Sequence, residues 1–158
     1  MVSDVRPVWV PNDPDYAARV RASFAGQAVM RLIGAQLSEL RPGYCRIELP
    51  FRQELTQQHG YIHAGIVSTI VDSAGGFAGF TLFPADSSVL TAEYKLNLLA
   101  PAAGERLIAV GEVIKSGRTL VITRGEVHAE VGGKRTLCAI MQQTLMVMAG
   151  KLDRQPDA

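Results

Sequence analysis

The longest apolar stretch of the chain runs from Ala64 to Leu82, "AGIVSTIVDSAGGFAGFTL", and Asp72 is its one charged residue. Its length is close to the roughly 20 residues that cross a bilayer, but the central charge, four glycines and the lack of basic flanks argue against a membrane span. A helix that is apolar on all sides in a water-soluble chain is a buried helix. The pattern therefore predicts a long helix over about residues 64–82 that other elements wrap.

The segments before this helix predict a short helix and a hairpin. Apolar residues four apart over about residues 13–25 indicate an amphipathic helix with Asn12 or Asp13 as its N-cap and Pro14 in its first turn. The segments "AVMRLIGAQLSEL" and "YCRIELPF" lie on either side of the turn sequence Arg41-Pro42-Gly43. This arrangement is typical of two antiparallel strands.

Four more strands are predicted after the long helix, namely "SSVLTAEYKLNLL", "RLIAVGEVIK", "TLVITRGEVHAEV" and "RTLCAIMQQTLMVM". Short glycine-containing turns separate them, so consecutive strands should be antiparallel neighbours in one sheet. One face of that sheet must cover an apolar element. We therefore expect an α+β fold in which a curved antiparallel sheet wraps one central helix. We expect the whole chain, 1–158, to form a single domain with a core over about 28–148 and a flexible tail over 150–158.

Composition and charge exclude several classes of function. The chain is 47% hydrophobic and 20% charged, with a formal net charge of +1, so no broad surface for nucleic acid or an anionic membrane is expected. The N-terminal segment has prolines and acids in place of a signal peptide, which predicts a cytoplasmic protein. Cys45 and Cys138 are interpreted as two reduced, buried thiols. His59 and His63 are four residues apart but lack the glutamate of a zinc motif, so no metal site is predicted.

A resemblance to a known family rests on the segment "HGYIHAGIVSTIVDSAGG" and on "SSVLTAEYKLNLLAPA" at the first strand after the helix. Together with the order of elements, these segments resemble the hotdog-fold acyl-CoA thioesterases, in particular the phenylacetate-pathway (PaaI-like) branch. The family frame, Gly-x-x-His-Gly-Gly followed by an aspartate, is matched here by Gly60, His63, Ala64, Gly65 and Asp72. Two positions depart from it: Ala64 replaces the first glycine of the pair, and Gln57 stands where the family usually has asparagine.

The resemblance implies that the protein hydrolyses an acyl thioester of coenzyme A to a carboxylic acid and CoA, with no metal or redox cofactor. It implies that Asp72 attacks the thioester or activates water, and that the Ala64 backbone N–H donates to the thioester oxygen. Gln57 would be a second donor or a water ligand, and His63 a neighbour of the site. The Thr91 hydroxyl would help hold the water.

Substrate contacts are expected at two further places. The resemblance places Gly65 beside the substrate, and it places the CoA nucleotide near the connection "IKSGRTL". In that connection Lys115, Gly117 and Arg118 form a tight cationic turn that could bind phosphate. The alternative, two solvated charges on a surface turn, stays open.

The spacing of Ala64 and Asp72 predicts a shared site. Eight residues of helix separate them, which is about 12 Å at a rise of about 1.5 Å per residue. Hydrogen-bond reach is about 3 Å, so one chain cannot bring both groups to the same carbonyl. If both act on one substrate, two chains must pair with their long helices antiparallel. A homodimer, alone or within a dimer of dimers, is therefore expected.

Other interpretations of the same residues remain open at this point. An aspartate in an apolar helix can be structural, because its carboxylate can bond a hydroxyl or a neighbouring backbone. A non-catalytic acyl-CoA-binding module on the same fold would not need that carboxylate. An enoyl-thioester hydratase would want a histidine base next to it.

Overall fold

The computed structural model describes residues 7–153, which form three α-helices and six β-strands. The helices are α1 (Tyr16–Gly26), α2 (Ala28–Ile33) and α3 (Ala64–Phe80), and a 3₁₀ turn covers Gln53–Leu55. The strands are β1 (Gln36–Arg41), β2 (Tyr44–Pro50), β3 (Ser87–Leu98), β4 (Arg106–Ser116), β5 (Leu120–Val131) and β6 (Lys134–Ala149).

All six strands form one antiparallel sheet with the order β1-β2-β4-β5-β6-β3. The strand that follows α3 in the chain, β3, crosses the sheet and forms its far edge beside β6. The sheet wraps α3, whose largest contacts are with β2, β4 and β5. This arrangement confirms the predicted α+β hotdog architecture.

Glycines on two paired strands let α3 lie directly on the sheet. A Cβ atom on Gly111 of β4 would lie 2.3 Å from the backbone of Ala74, and one on Gly125 of β5 would lie 2.4 Å from Val71. Gly111 and Gly125 are register partners, so the two positions form one shallow depression under the helix. Any larger residue at either position would push α3 away from its core contacts.

Arg19 fastens α1 to the C-terminal end of α3. Its Nε lies 2.8 Å from Asp13 Oδ2, and its Nη2 donates to the Phe83 carbonyl at 2.9 Å and its Nη1 to the Pro84 carbonyl at 3.0 Å. Its guanidinium also lies 4.4 Å from the centre of the Phe80 ring. The other oxygen of the Asp13 carboxylate accepts from the Asp15 N–H at 2.9 Å. The helix α1 begins at Tyr16 with Asp15 as N-cap, three residues later than predicted.

The expectation of a strand starting near Ala28 is wrong, because residues 28–33 form α2. Met30 and Ile33 are buried three residues apart, whereas Val29 and Leu32 are exposed, which is the spacing of a helix and not of a strand. Gly34 ends α2 with a φ of 79°, a left-handed conformation that glycine adopts without strain. The first strand therefore begins only at Gln36.

The expectation of burial on all sides of the long helix holds for only part of α3. Residues 73–80 are buried throughout, but the N-terminal half exposes a stripe that includes Gly65, Ser68, Thr69 and Asp72. The helix ends at Phe80, two residues before its predicted end. None of the helices within residues 7–153 combines the length and the apolar character that crossing a membrane would require. Of the predicted flexible tail, residues 154–158 lie outside the described part of the chain.

Candidate active site

Asp72 lies at the point where α3 passes β3 and β6. Its Oδ1 atom accepts a hydrogen bond from the Thr91 hydroxyl at 2.8 Å and another from the Gln143 amide nitrogen at 2.9 Å. A break in the β3–β6 register next to Thr91 leaves one extra residue in β3 at this place. Bulges of this kind redirect side chains and are common beside active sites.

The electrostatic surroundings of Asp72 act in two opposite directions. Burial raises its pKa above the ordinary value, while the hydrogen bonds from Thr91 and Gln143 act to lower it. The burial effect is the larger, so this carboxyl keeps its proton to a higher pH than a surface aspartate does. A raised pKa at a cleft is a common property of groups that accept protons or attack carbonyls.

Sequence reasoning missed two residues of this site, Gln143 and Thr123. Gln143 is 1% exposed and Thr123 is fully buried, and the Thr123 hydroxyl donates to Gln143 Oε1 at 3.0 Å. A signal was present in the strand "LCAIMQQTLMVM", because Gln143 alternates with the inward-facing residues Met141 and Leu145. A polar residue at an inward-facing position needs a buried partner, and here that partner is Asp72.

A cavity of about 720 Å³ opens beside Asp72 between α1, α3 and β3. Its walls are mainly apolar or small, and they include Ala22, Gly76, Phe77, Phe80 and Val89. Leu152 and Asp153 of the C-terminal segment also line it. We call this cavity the Asp72 groove.

Ala64 and Gln57 line a different cavity, of about 360 Å³, which also includes Tyr61 and the end of β3 at Leu98. We call it the Ala64 cavity. Ala64 is the first residue of α3, so its N–H has no acceptor within the helix. No non-glycine residue among those described has a positive φ, so alanine fits this position without backbone strain.

His63 is the N-cap of α3. Its Nδ1 accepts a hydrogen bond from the Gly65 N–H at 2.8 Å, so the amide of Gly65 is already used within the chain. The Gln57 carboxamide oxygen accepts from the His59 N–H, which leaves the Gln57 amide nitrogen as a donor. The Ala64 and Gln57 N–H groups are therefore the donors that this end of the helix offers to a ligand.

The predicted phosphate turn lies on a third part of the surface. Lys115 and Arg118 are exposed, and neither belongs to an ion pair within residues 7–153. Gly117 is required by the turn, because a Cβ atom there would lie 2.5 Å from the Leu120 carbonyl oxygen.

The two cysteines are free and buried, as predicted. Burial raises the pKa of the Cys45 thiol to about 12, which makes it a poor nucleophile. Within residues 7–153, no three His, Cys, Asp or Glu side chains are grouped so that they could hold a metal ion.

Comparison with known proteins identifies the family. The model of the thioesterase superfamily matches residues 59–136. A protein of Saccharolobus solfataricus named "Putative esterase" is 33% identical over 113 residues, which cover 72% of this chain and 73% of that protein. The chain belongs to the thioesterase superfamily. A solved structure of another thioesterase family protein, from Silicibacter pomeroyi, is 47% identical with a TM-score of 0.84, and the match covers 85% of this chain and 99% of that one.

More distant thioesterase structures share the fold. The E. coli PaaI protein from the phenylacetic acid degradation operon is 15% identical with a TM-score of 0.78, over 88% of this chain and 97% of that one. This likeness agrees with the PaaI-like hotdog fold seen here. As a member of the thioesterase superfamily, the chain is a hydrolase, and the groups that such chemistry needs are an activated oxygen and donors for a developing oxyanion.

Proposed function

We propose that this thioesterase hydrolyses acyl thioesters of coenzyme A, and that Asp72 is its catalytic carboxylate. The observation that carries the proposal is the setting of Asp72, a half-buried carboxylate held by Thr91 and Gln143 at an apolar groove. The groove suits an acyl chain or ring because its walls are mainly apolar or small, and the thioester carbonyl of such a group would meet the carboxylate at the groove.

The proposed reaction cleaves the carbon–sulfur bond of the thioester. Either Asp72 attacks the carbonyl and the resulting anhydride is hydrolysed by water, or Asp72 takes a proton from a water that attacks directly. In both routes the carbonyl oxygen becomes an oxyanion that the Ala64 N–H, at the positive end of the α3 dipole, would stabilise. Gln57 would give a second donor, and the thiol of CoA leaves with one proton.

We further propose that each site combines the Asp72 groove of one chain with the Ala64 cavity of a second chain. The two cavities lie at opposite ends of the same strand: Thr91, near the start of β3, lines the first, and Leu98, at its end, lines the second. If two β3 edges pair antiparallel, the start of one lies beside the end of the other. That pairing would bring the two half-sites together.

The surface of β3 supports such pairing. The strand is 12 residues long and lies at a sheet edge, where unpaired backbone groups favour the addition of another strand. Leu90, Tyr94, Leu98 and Leu99 are each between 46% and 57% exposed along it. A long, apolar, uncovered edge strand is what a dimer interface needs.

The nucleotide of CoA would lie at the exposed turn of Lys115 and Arg118, where two cations are free to meet phosphate.

The test is a panel of acyl-CoA esters assayed for release of free thiol, with wild-type protein and Asp72→Asn. This substitution removes the carboxylate with little change in volume. We expect wild-type turnover of at least one ester and a loss of at least ~100-fold in the variant. Near-normal hydrolysis by a folded Asp72→Asn protein would refute the catalytic role, and tight binding of the esters without thiol release by the wild type would indicate a binding module.

A further inference from the structure

We propose that Gln143 and Thr123 are positioning residues that hold the Asp72 carboxylate in one orientation, with Oδ1 fixed and Oδ2 left for the substrate. The inference rests on the proposed role of Asp72 and extends it to two buried residues behind the site.

Gln143 is bonded to Asp72 at two points. Its Nε2 donates to Asp72 Oδ1 at 2.9 Å and also lies 3.2 Å from the Asp72 backbone carbonyl. Both of these acceptors belong to one residue, so the amide fixes the side chain relative to its own backbone. The Thr91 hydroxyl donates to the same Oδ1 atom at 2.8 Å. Oδ2 receives no hydrogen bond from residues 7–153, which leaves it to act on a ligand.

Thr123 holds the end of the Gln143 amide that faces away from Asp72. An amide presents either its oxygen or its nitrogen to a neighbour, and an oxygen next to a carboxylate would repel it. The two acceptor oxygens of Asp72 therefore take the Nε2 end, and the Thr123 hydroxyl donates to Oε1 at 3.0 Å, which keeps the amide from rotating. Because Thr123 and Gln143 are almost fully buried, water cannot replace either bond at low cost.

A glycine in α3 provides the space for this amide. A Cβ atom on Gly75 would lie 1.8 Å from Gln143 Oε1 and 2.9 Å from Thr123 Oγ1. Any other residue at position 75 would displace the amide from its present place. The Gln143 amide can therefore occupy its present position only because residue 75 of α3 is a glycine.

Loss of the Gln143 bond should change how Asp72 titrates. No charged side chain contributes to the shift in the pKa of Asp72, which is set by burial and by the hydrogen bonds from Thr91 and Gln143. The charged groups that line the same groove are Arg19, which is paired with Asp13, and Asp153. Because the Gln143 bond favours the carboxylate, its removal raises the Asp72 pKa further, and the active fraction at a given pH falls.

The experiment compares Gln143→Leu with Gln142→Leu. Gln142 is the adjacent glutamine on the exposed, opposite face of β6 and serves as a matched control. For Gln143→Leu we expect the acidic limb in the profile of kcat/KM against pH to shift to higher pH by about one unit. On the high-pH plateau kcat should fall about 10-fold with KM within about twofold, because orientation and not binding is lost. Gln142→Leu should match the wild type.

Thr123→Val and Thr123→Ser give a second, independent comparison. Valine has the shape of threonine without its hydroxyl, so it releases the Gln143 amide. The acidic limb of the pH profile should then move to higher pH, and kcat should fall about threefold. Serine keeps the hydroxyl and should restore activity to near the wild-type level. This pair decides the question even if Gln143→Leu does not fold.

A direct measurement separates this inference from the proposed function. The ¹³C signal of the Asp72 carboxyl group, assigned by its absence in Asp72→Asn, is titrated in the wild type, Gln143→Leu and Gln142→Leu. A higher midpoint in Gln143→Leu alone supports the inference, even if no CoA ester is a substrate. An unchanged midpoint together with an unchanged acidic limb would overturn it, even if Asp72 is catalytic.

Discussion

At the scale of single residues, Asp72 is where stability and the proposed chemistry conflict. The carboxyl group is half-buried, burial raises its pKa, and two hydrogen bonds offset only part of that cost. The sequence identified Asp72 because a charge in an apolar run needs an explanation. It did not identify Gln143 or Thr123, because a polar residue in a strand is unremarkable until the register shows that it faces the core.

The raised pKa of Asp72 predicts how Asp72→Asn changes stability with pH. An acid whose pKa is raised on folding stabilises the folded state fully below its unfolded pKa, and that contribution is lost as pH rises through the folded pKa. At pH 7 the wild type no longer has this stabilising contribution, whereas the asparagine variant has no ionisable group at this position and therefore has nothing to lose. We therefore expect Asp72→Asn to have a higher Tm than the wild type at pH 7.

Thermal unfolding followed by circular dichroism from pH 3 to pH 8 measures the effect. The difference in Tm should shrink as the pH falls through the raised pKa of Asp72, and it should be smallest below the ordinary aspartate value of about 3.9. A variant that is less stable than the wild type at pH 7 would show that the charged form of Asp72 stabilises the fold.

At the scale of elements, α3 carries two adjacent glycines that serve different purposes. A methyl group on Gly75 would collide with Gln143, whereas a methyl group on Gly76 would meet no atom within 4 Å. Gly76 lines the Asp72 groove. A glycine inside a helix costs about 1 kcal/mol relative to alanine. Nothing in the described chain requires that cost at Gly76, and the acyl group proposed for the groove would use the open space.

This contrast predicts different outcomes for Gly75→Ala and Gly76→Ala. Gly75→Ala should lower kcat at least ~10-fold, because the new methyl group displaces the Gln143 amide. Gly76→Ala should raise the free energy of unfolding by up to about 1 kcal/mol. It should also lower kcat/KM for bulky acyl groups several-fold relative to short ones, since a methyl group now occupies the groove.

Kinetics on a series of acyl-CoA esters of increasing size, with denaturant unfolding of each variant, measures both effects. Equal activity losses in the two variants would contradict the separate roles. An unchanged preference in Gly76→Ala would show that the acyl group does not pass this residue.

Element boundaries also show where sequence patterns were sufficient. The turn residues and the strand alternation predicted β2 and the four strands after α3, because each has a distinct apolar face. The sequence pattern predicts a strand at residues 28–33 because six residues are too few to distinguish helical from alternating spacing of the apolar residues. Only the burial of Met30 and Ile33 in the structure shows the helical spacing. The late start of α1 has another cause, because Asp13 forms a turn ahead of the helix. Its carboxylate accepts from the Asp15 N–H and pairs with Arg19, which is itself held by the Phe83 and Pro84 carbonyls.

At the scale of the whole molecule, the two proposed half-sites of one chain do not meet. Asp72 and Ala64 lie on separate cavities at the two ends of β3, as the spacing along the helix required. The composition of a single chain carries no information on which edge a second chain would meet. The exposed apolar row on β3 became visible only once the strand order placed that strand at the edge.

A shared site predicts that activity returns when two inactive chains are mixed. One chain carries Asp72→Asn and the other Ala64→Pro, which removes the N–H proposed for the oxyanion. Proline is well tolerated at the first position of a helix, and His63 already has the extended conformation, with φ −60° and ψ 139°, that precedes proline. Random exchange makes about half of the dimers mixed, each with one intact site of two, so about a quarter of wild-type activity should return.

Thiol release after subunit exchange is the measurement, and mass spectrometry of differently tagged chains confirms that exchange occurred. Each variant alone is the control and should be inactive. Complete exchange without recovery would show that the site is not divided between chains in this way.

If each site is divided between two chains as proposed, the separation of the two cavities has a consequence for evolution. After duplication of the gene, one copy could lose its carboxylate and the other its oxyanion donor, and a mixed pair would still keep one working site. Each copy would then depend on the other. The unused half-site of each pair would be released from selection for hydrolysis and could drift toward binding a different thioester.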